Sequence, residues 1–335
     1  MKESKKVNWL LVGTGDIARK RVAPALKDAS GSNLTAICDL NKECVQRFAK
    51  DFDIADDKVY TDFDGAISDK DVDAVYLATP IFLHVEHALK ALRAGKHVLV
   101  EKPLALCAQD AQRLIEETNG SVLNVGCAYF RRFFNRYKYA KDMIRNGEFG
   151  EIVLVRMTYF SWFNPAQNDP KYWRVVRNKS GGGPLSDMGS HMFDVMIGLF
   201  GLPQNVFAFT MTKTHGYEVE DSATTVMQYK NGPDVVASFN WNSKTWTHEF
   251  EIVGTEAKLK WSPYDSGAIF KTVGRNTEQI ELPEPVNAHL PMVQDFVNAI
   301  AEDRQPVVTA AEAVKTNVLL DAIYRSSQIG QVVKL

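Results

Sequence analysis

The segment Gly13-Thr14-Gly15-Asp16-Ile17-Ala18 constrains this chain more than any other stretch. It follows a short apolar run, residues 7–12, and precedes Ala23, Leu26 and Lys27, whose spacing predicts a helix. A second apolar run, residues 34–38, ends at Asp39. That is close to the roughly 20 residues at which a G-x-G-x-x-A turn between strand and helix expects an acidic partner. Each position has a physical task. Gly13 permits the tight turn, Gly15 lets backbone approach a pyrophosphate, and Ala18 keeps helix and strand close. The helix N-terminus attracts the phosphate charge. Asp39 has two oxygens for the ribose hydroxyls of an adenosine and would repel a 2′-phosphate. NAD is therefore expected rather than NADP, since only Lys42 among the next residues offers a phosphate partner.

The alternation continues. Residues 74–78 form an apolar run ending at Thr79-Pro80, residues 82–94 read as a helix stopped by Gly95, and residues 97–100 run into Glu101-Lys102-Pro103. Repeated β-α-β units predict a doubly wound parallel sheet, a Rossmann domain, with ligands at the carboxyl ends of its strands. Lys102 lies one residue past such an end. At 335 residues the chain suits two domains, and a net charge of −2 gives no basic surplus for nucleic acid or an anionic membrane. No apolar run approaches the roughly 20 residues of a membrane helix. The four cysteines, Cys38, Cys44, Cys107 and Cys127, show no Cys-x-x-Cys spacing, so no zinc site and no disulfide framework is expected. A cytoplasmic setting is the expectation.

From Glu151 the character changes. Strand-like segments at 152–160, 206–212, 223–229, 235–241 and 250–253 follow one another with few helices between, which predicts a largely antiparallel sheet. Residues 131–146 read as a helix joining the two halves. Residues 292–302 and 310–327 read as terminal helices, the last capped by Thr309. Between them a flexible glycine run, 181–183, leads into Pro184 and an apolar stripe of Met188, Met192, Val195 and Leu199. Asp187 and His191 are four apart, so a helix stacks them on one face, and Asp194 continues that stripe. Alone, such a pair is either a helix-end ion pair or a proton-transfer site.

Taken together these motifs resemble the Gfo/Idh/MocA family of NAD(P)-dependent oxidoreductases. The resemblance rests on 13–18, Ala78-Thr79-Pro80 with His84, residues 94–98, Glu101-Lys102-Pro103, Arg131-Arg132-Phe133, the 181–194 block and the terminal helices. It implies a Rossmann domain over 1–127, an α+β substrate and oligomerisation domain over 128–308 with a large, mostly antiparallel, open-faced sheet, and a final helix, 309–335, packing back on the first domain. It implies catalytic roles for Lys102, Asp187 and His191. Cofactor contacts are implied for Gly13, Thr14, Gly15, Asp16, Ile17, Asp39, Thr79, Pro80, His84, Glu101 and Lys102, and a cis bond before Pro103. Where the family usually has asparagine after Thr-Pro, this chain has Ile81, so a cofactor contact is in doubt there.

The expected activity is metal-free hydride transfer between NAD and a hydroxyl or carbonyl carbon of a sugar, polyol or glycoside. Substrate contacts are expected from Lys102, Asp187 and His191, with Trp162, Tyr172 and Arg174 as pocket walls. A homodimer or homotetramer is expected. Three other readings stay open: a glycoside-cleaving or epimerising enzyme that recycles a retained NAD, an oxidoreductase of dihydrodiols or tetrapyrroles, and a non-enzymatic dinucleotide-binding regulator.

Overall fold

The computed structural model describes residues 6–335. Its contacts divide the chain into two compact units. The first holds the described residues up to Phe130 together with Pro285–Val314; the second holds Arg131–Glu284 and Lys315–Leu335.

The first unit is a six-stranded parallel sheet in the order β3-β2-β1-β4-β5-β6. The strands are β1 (Val7–Val12), β2 (Ser32–Cys38), β3 (Val59–Tyr60), β4 (Ala74–Leu77), β5 (His97–Val100) and β6 (Val125–Cys127). Trp9, Leu10 and Leu11 of β1 are all at 0% exposure, as a parallel strand covered on both faces requires. Strand order reverses beside β1, where β2 pairs on one side and β4 on the other, so the turn after β1 opens at the switch point of the sheet. The chain returns to this unit late. The helix Leu290–Ala301 sends Phe296 against Trp9, ring centroids 5.6 Å apart.

The second unit is a nine-stranded sheet in the order β14-β13-β12-β11-β7-β10-β9-β8-β15. Its strands are β7 (Ile152–Trp162), β8 (Asn205–Met211), β9 (Ser222–Gln228), β10 (Asp234–Asn240), β11 (Asn242–Gly254), β12 (Ala257–Trp261), β13 (Ile269–Val273), β14 (Asn276–Ile280) and β15 (Val333–Lys334). Only β7 and β10 pair in parallel; every other neighbour is antiparallel. The mostly antiparallel sheet expected from the strand run is what forms. Among the described residues no helix is long and apolar enough to cross a membrane.

Several local expectations need correction. The chain does not divide at 127 and 308: Pro285–Val314 belongs with the first unit because the Leu290–Ala301 helix packs there. The final helix, Ala310–Ile329, does not stay with that unit. From Lys315 it counts with the second, where the Ser326 and Ser327 hydroxyls accept from the Ala208 and Thr210 amides of β8. The joining helix over 131–146 is in fact a 3₁₀ turn, Phe130–Phe133, followed by a helix at Asn135–Arg145. The glycine run is tightly packed rather than flexible, since a Cβ at Gly182 would overlap the Tyr324 hydroxyl and one at Gly183 the Glu220 carbonyl. Finally, the helix beyond it shows no single buried stripe. Residues 190–197 are all buried, which periodicity cannot reveal for a helix covered on every side.

Candidate functional site

Within the first unit the turn after β1 is built as the fingerprint demands. Gly13 sits at φ +92°, and a Cβ there would lie 2.7 Å from the Ala78 carbonyl oxygen at the end of β4. No side chain fits. At Gly15 an added Cβ would meet no protein atom within 4 Å, so packing does not explain that glycine and the space beyond it is open. Asp39, at the end of β2, accepts from the Thr14 amide and the Thr14 hydroxyl, both at 2.8 Å, and from the Asn41 amide at 2.9 Å. The acidic residue and the glycine turn thus form one structure. Asp16 faces Lys20 at 2.8 Å, and Ile17 is exposed at the mouth of the turn. An open glycine turn beside a carboxylate fits the pyrophosphate and ribose of a dinucleotide.

Thr79 and Pro80 follow β4, and Lys102 follows β5, with a cis bond before Pro103. Ile81 is buried, so the position where an asparagine would reach a ligand instead fills the interior. His84 is entirely buried, with Nε2 2.8 Å from the Thr79 carbonyl oxygen and Nδ1 3.0 Å from that of Pro103. Burial lowers its pKa from the ordinary histidine value. Glu101 is also turned inward, accepting from the Tyr76 hydroxyl at 2.8 Å and from the Lys102 amide at 3.2 Å. Burial pulls its carboxyl upward, but His289, Tyr76 and the Lys102 charge outweigh that and hold it below the usual range.

Within the second unit Asp187 lies in a wide π-helical turn, Leu185–Gly189, and His191 in the first turn of the helix Ser190–Phe200. His191 is 5% exposed, and the Tyr264 hydroxyl reaches its carbonyl oxygen at 3.5 Å. Asp187 is joined by Arg174, whose Nη1 lies 3.3 Å from Oδ2. Tyr172 packs on the cluster of Val175, Val219 and Trp241. Trp162 is half exposed, with the Lys244 ammonium 5.0 Å above its ring and His215 at its edge, and His215 in turn stacks on Tyr217 of that same cluster. Of the three expected wall residues, then, Arg174 is brought to Asp187, Tyr172 packs on the Val175–Val219–Trp241 cluster, and Trp162 reaches that cluster through His215 and Tyr217.

What sequence reasoning missed is the scaffold beneath these groups. Glu220 is buried and its Oε1 accepts from the Gly183 amide at 2.9 Å, the Leu185 amide at 3.3 Å and the Tyr324 hydroxyl at 3.0 Å. It caps the turn that carries Asp187, and burial pushes its carboxyl above the usual range despite those bonds. Asp194 is fully buried against Arg132, with Nη2 to Oδ1 at 2.7 Å. Arg131 grips Asp265 with two bonds of 2.6 Å. Burial pulls the Asp265 carboxyl upward, but the Arg131 charge overcomes it and holds the group below the usual range. Two adjacent arginines set among Phe130, Phe133 and Phe134 were the available signal for buried ion pairs. For Glu220 and Tyr324 the sequence carried none.

A Rossmann unit with an open glycine turn, followed by a unit built on a large, mostly antiparallel sheet, is a two-part architecture found among oxidoreductases. Residues 7–127 match the family model for the NAD-binding Rossmann fold of this oxidoreductase family, and residues 137–260 match its C-terminal domain. The chain belongs to the GFO/IDH/MocA family. It is similar to 1,5-anhydro-D-fructose reductase of Ensifer adhaerens, 29% identical over 98% of this chain and 98% of that protein. It is 25% identical to D-xylose 1-dehydrogenase (NADP(+)) 2 of Haloferax volcanii, over 97% of this chain and 98% of that one. Among solved structures, the aldose-aldose oxidoreductase of Caulobacter crescentus complexed with glycerol matches with a TM-score of 0.90 at 26% identity. That match covers 98% of this chain and 100% of the other.

Proposed function

We propose that this protein is an NAD-dependent dehydrogenase or reductase of a sugar, polyol or glycoside, acting through Lys102, Asp187 and His191. The observation that carries the reading is the head of the Ser190–Phe200 helix, where a buried imidazole follows a carboxylate that an arginine holds in place. The sugar-acting relatives support the substrate class. Gly13, Thr14, Gly15 and Asp39 hold the dinucleotide, with Asp16, Ile17, Thr79, Pro80 and Lys102 along its length. Its nicotinamide, when bound, supplies the position that takes or returns the hydride.

The chain's own residues do the proton work. His191 takes the hydroxyl proton during oxidation and returns it during reduction, because an imidazole nitrogen can both accept and donate a proton. Lys102 donates to the reacting oxygen and stabilises alkoxide charge as it develops. Asp187 offsets positive charge beside His191, and Arg174, drawn to it, offers donors to substrate hydroxyls. NAD is favoured because Asp39 presents a carboxylate where a 2′-phosphate would have to sit. Self-association through the nine-stranded sheet is part of the same reading. Phe207, Phe209, Met211, Val226 and Val236 share one face by register, and Phe209 is 58% exposed.

The test is a screen of D-xylose, D-glucose, 1,5-anhydro-D-fructose, inositols and glycosides with NAD and NADP in parallel, followed at A340. Turnover with NAD on one of these supports the reading. No turnover on any, with no NADH binding by the purified protein, sinks it.

A further inference from the structure

Lys102 stands between two residues that are both tied into the interior of the first unit. On one side, Glu101 accepts from Tyr76 at 2.8 Å, and His289 Nε2 approaches its Oε1 at 3.4 Å. On the other, the Pro103 carbonyl oxygen meets His84 Nδ1 at 3.0 Å. The ladder between β4 and β5 ends at Leu77 and Val100, with the Glu101 amide still donating to the Leu77 carbonyl at 2.9 Å. Past that point the chain after each strand leaves as a separate loop. The His84 ring links the two loops, since its Nε2 lies 2.8 Å from the Thr79 carbonyl oxygen. With 0% exposure, His84 has no surface to offer a ligand, although it falls within a ligand-binding motif.

We propose that His84 is a positioning residue for Lys102. Its imidazole donates from Nδ1 to the Pro103 carbonyl while its other edge packs against the Thr79 carbonyl, and so sets where Lys102 stands relative to the loop after β4. The inference rests on the role given to Lys102 above. Buried carbonyl oxygens keep a partner because an unpaired one carries the full desolvation cost, which makes the ring's place between them a defined one. A neutral ring donates to one of the two oxygens and a protonated ring to both. The proposal places the proton on Nδ1, where it ties the Pro103 carbonyl that follows Lys102.

Three substitutions in the full-length protein separate a tie from simple packing: His84→Leu, His84→Asn and His84→Gln. Each is assayed for kcat on the best substrate of the screen and for NADH affinity by fluorescence. His84→Leu should lower kcat about 10–100-fold, the scale of a displacement near 1 Å at a reacting group. An asparagine amide reaches as Nδ1 does, so His84→Asn should recover kcat about tenfold over His84→Leu by restoring the bond to Pro103. A glutamine amide reaches as Nε2 does, toward Thr79 rather than Pro103, so His84→Gln should leave kcat as low as His84→Leu does. Equal losses in all three variants, or a His84→Leu kcat within about twofold of wild type, overturn the proposal. If the variants do not fold, NMR on the wild-type protein with NADH and ¹⁵N-labelled histidine decides. The tie requires a proton on His84 Nδ1 that resists exchange, and an unprotonated Nδ1 overturns it. Lys102→Ala tells the two failures apart. If it abolishes turnover while His84→Leu does nothing, this inference alone falls; if Lys102→Ala stays near full activity, the reading of the site falls first.

Discussion

The two units hold their functional groups by different means. In the first, the dinucleotide cradle is mostly backbone: a glycine at φ +92°, an open glycine, and one carboxylate bonded to the turn it serves. In the second, the groups proposed to work, Asp187 and His191, are side chains on a turn and the helix that follows it, held by charged partners from elsewhere in the chain. Arg132 grips Asp194 across 62 positions, and Glu220 caps the Asp187 turn from 37 positions away. A backbone cradle fails only where its conformation fails. A side-chain site fails wherever a distant partner is lost, because a buried charge left alone is costly even when the intact pair contributes little.

The sharpest break of that comparison lies in the second unit's chemistry. His191→Ala is expected to lower kcat about 10²–10⁴-fold, the usual worth of a positioned acid–base group. NADH affinity should stay close to wild type, since the glycine turn is untouched; near-normal turnover would return the Asp187–His191 pair to a structural role. Arg132→Met leaves Asp194 charged and buried, and urea denaturation should show a loss of about 3–5 kcal/mol. Gly13→Ala strikes the first unit where it is vulnerable. The new Cβ meets the Ala78 carbonyl at a φ that side chains avoid, so a stability loss of about 1–3 kcal/mol and weaker NADH binding are expected together. If stability drops without any change in NADH affinity, the turn is not the cradle.

Smaller effects sharpen the contrast. Burial pushes His248 down to about 4 in the folded protein, against the opposing pull of Asp265, while the unfolded residue titrates near 6.5. The unfolded chain therefore takes up this proton first as pH falls. The group's contribution to stability is full above about pH 6.5 and is lost as pH drops toward 4, by about 2 kcal/mol at pH 5 and about 3 kcal/mol at pH 4. Denaturation at pH 7.5 and pH 5 should show that loss in the wild type and a smaller one in His248→Asn. In the first unit, Asp39→Ala should reduce the NAD:NADP ratio of kcat/KM about tenfold, the worth of one charge-assisted contact. An unchanged ratio would mean Asp39 serves only Thr14 and Asn41.

The first unit was far more legible than the second. Gly13, Asp39 and the strand–helix alternation appear in sequence because each follows from local rules: a turn that excludes Cβ, apolar runs of strand length, and an acid at a set distance. The Asp187–His191 spacing was equally visible. Its support was not: the glycines at 182 and 183 read as flexible, whereas Tyr324 and Glu220 press against them. The inward turn of His84 and Glu101 was also hidden, because a motif says which residues stand near a ligand and not which way each one faces.

By itself the sequence determined a Rossmann half, an antiparallel half, and residues suited to dinucleotide binding and proton transfer. Those depend on periodicity, backbone freedom and residue chemistry within about 20 positions along the chain. Only the tertiary structure decided that Pro285–Val314 returns to the first unit, that Asp194 belongs to Arg132, and that Arg174 belongs to Asp187. These outcomes depend on which charges and aromatic faces meet after folding. A buried carboxylate or ring is satisfied by whichever partner the packing brings within reach, and no local spacing encodes that partner.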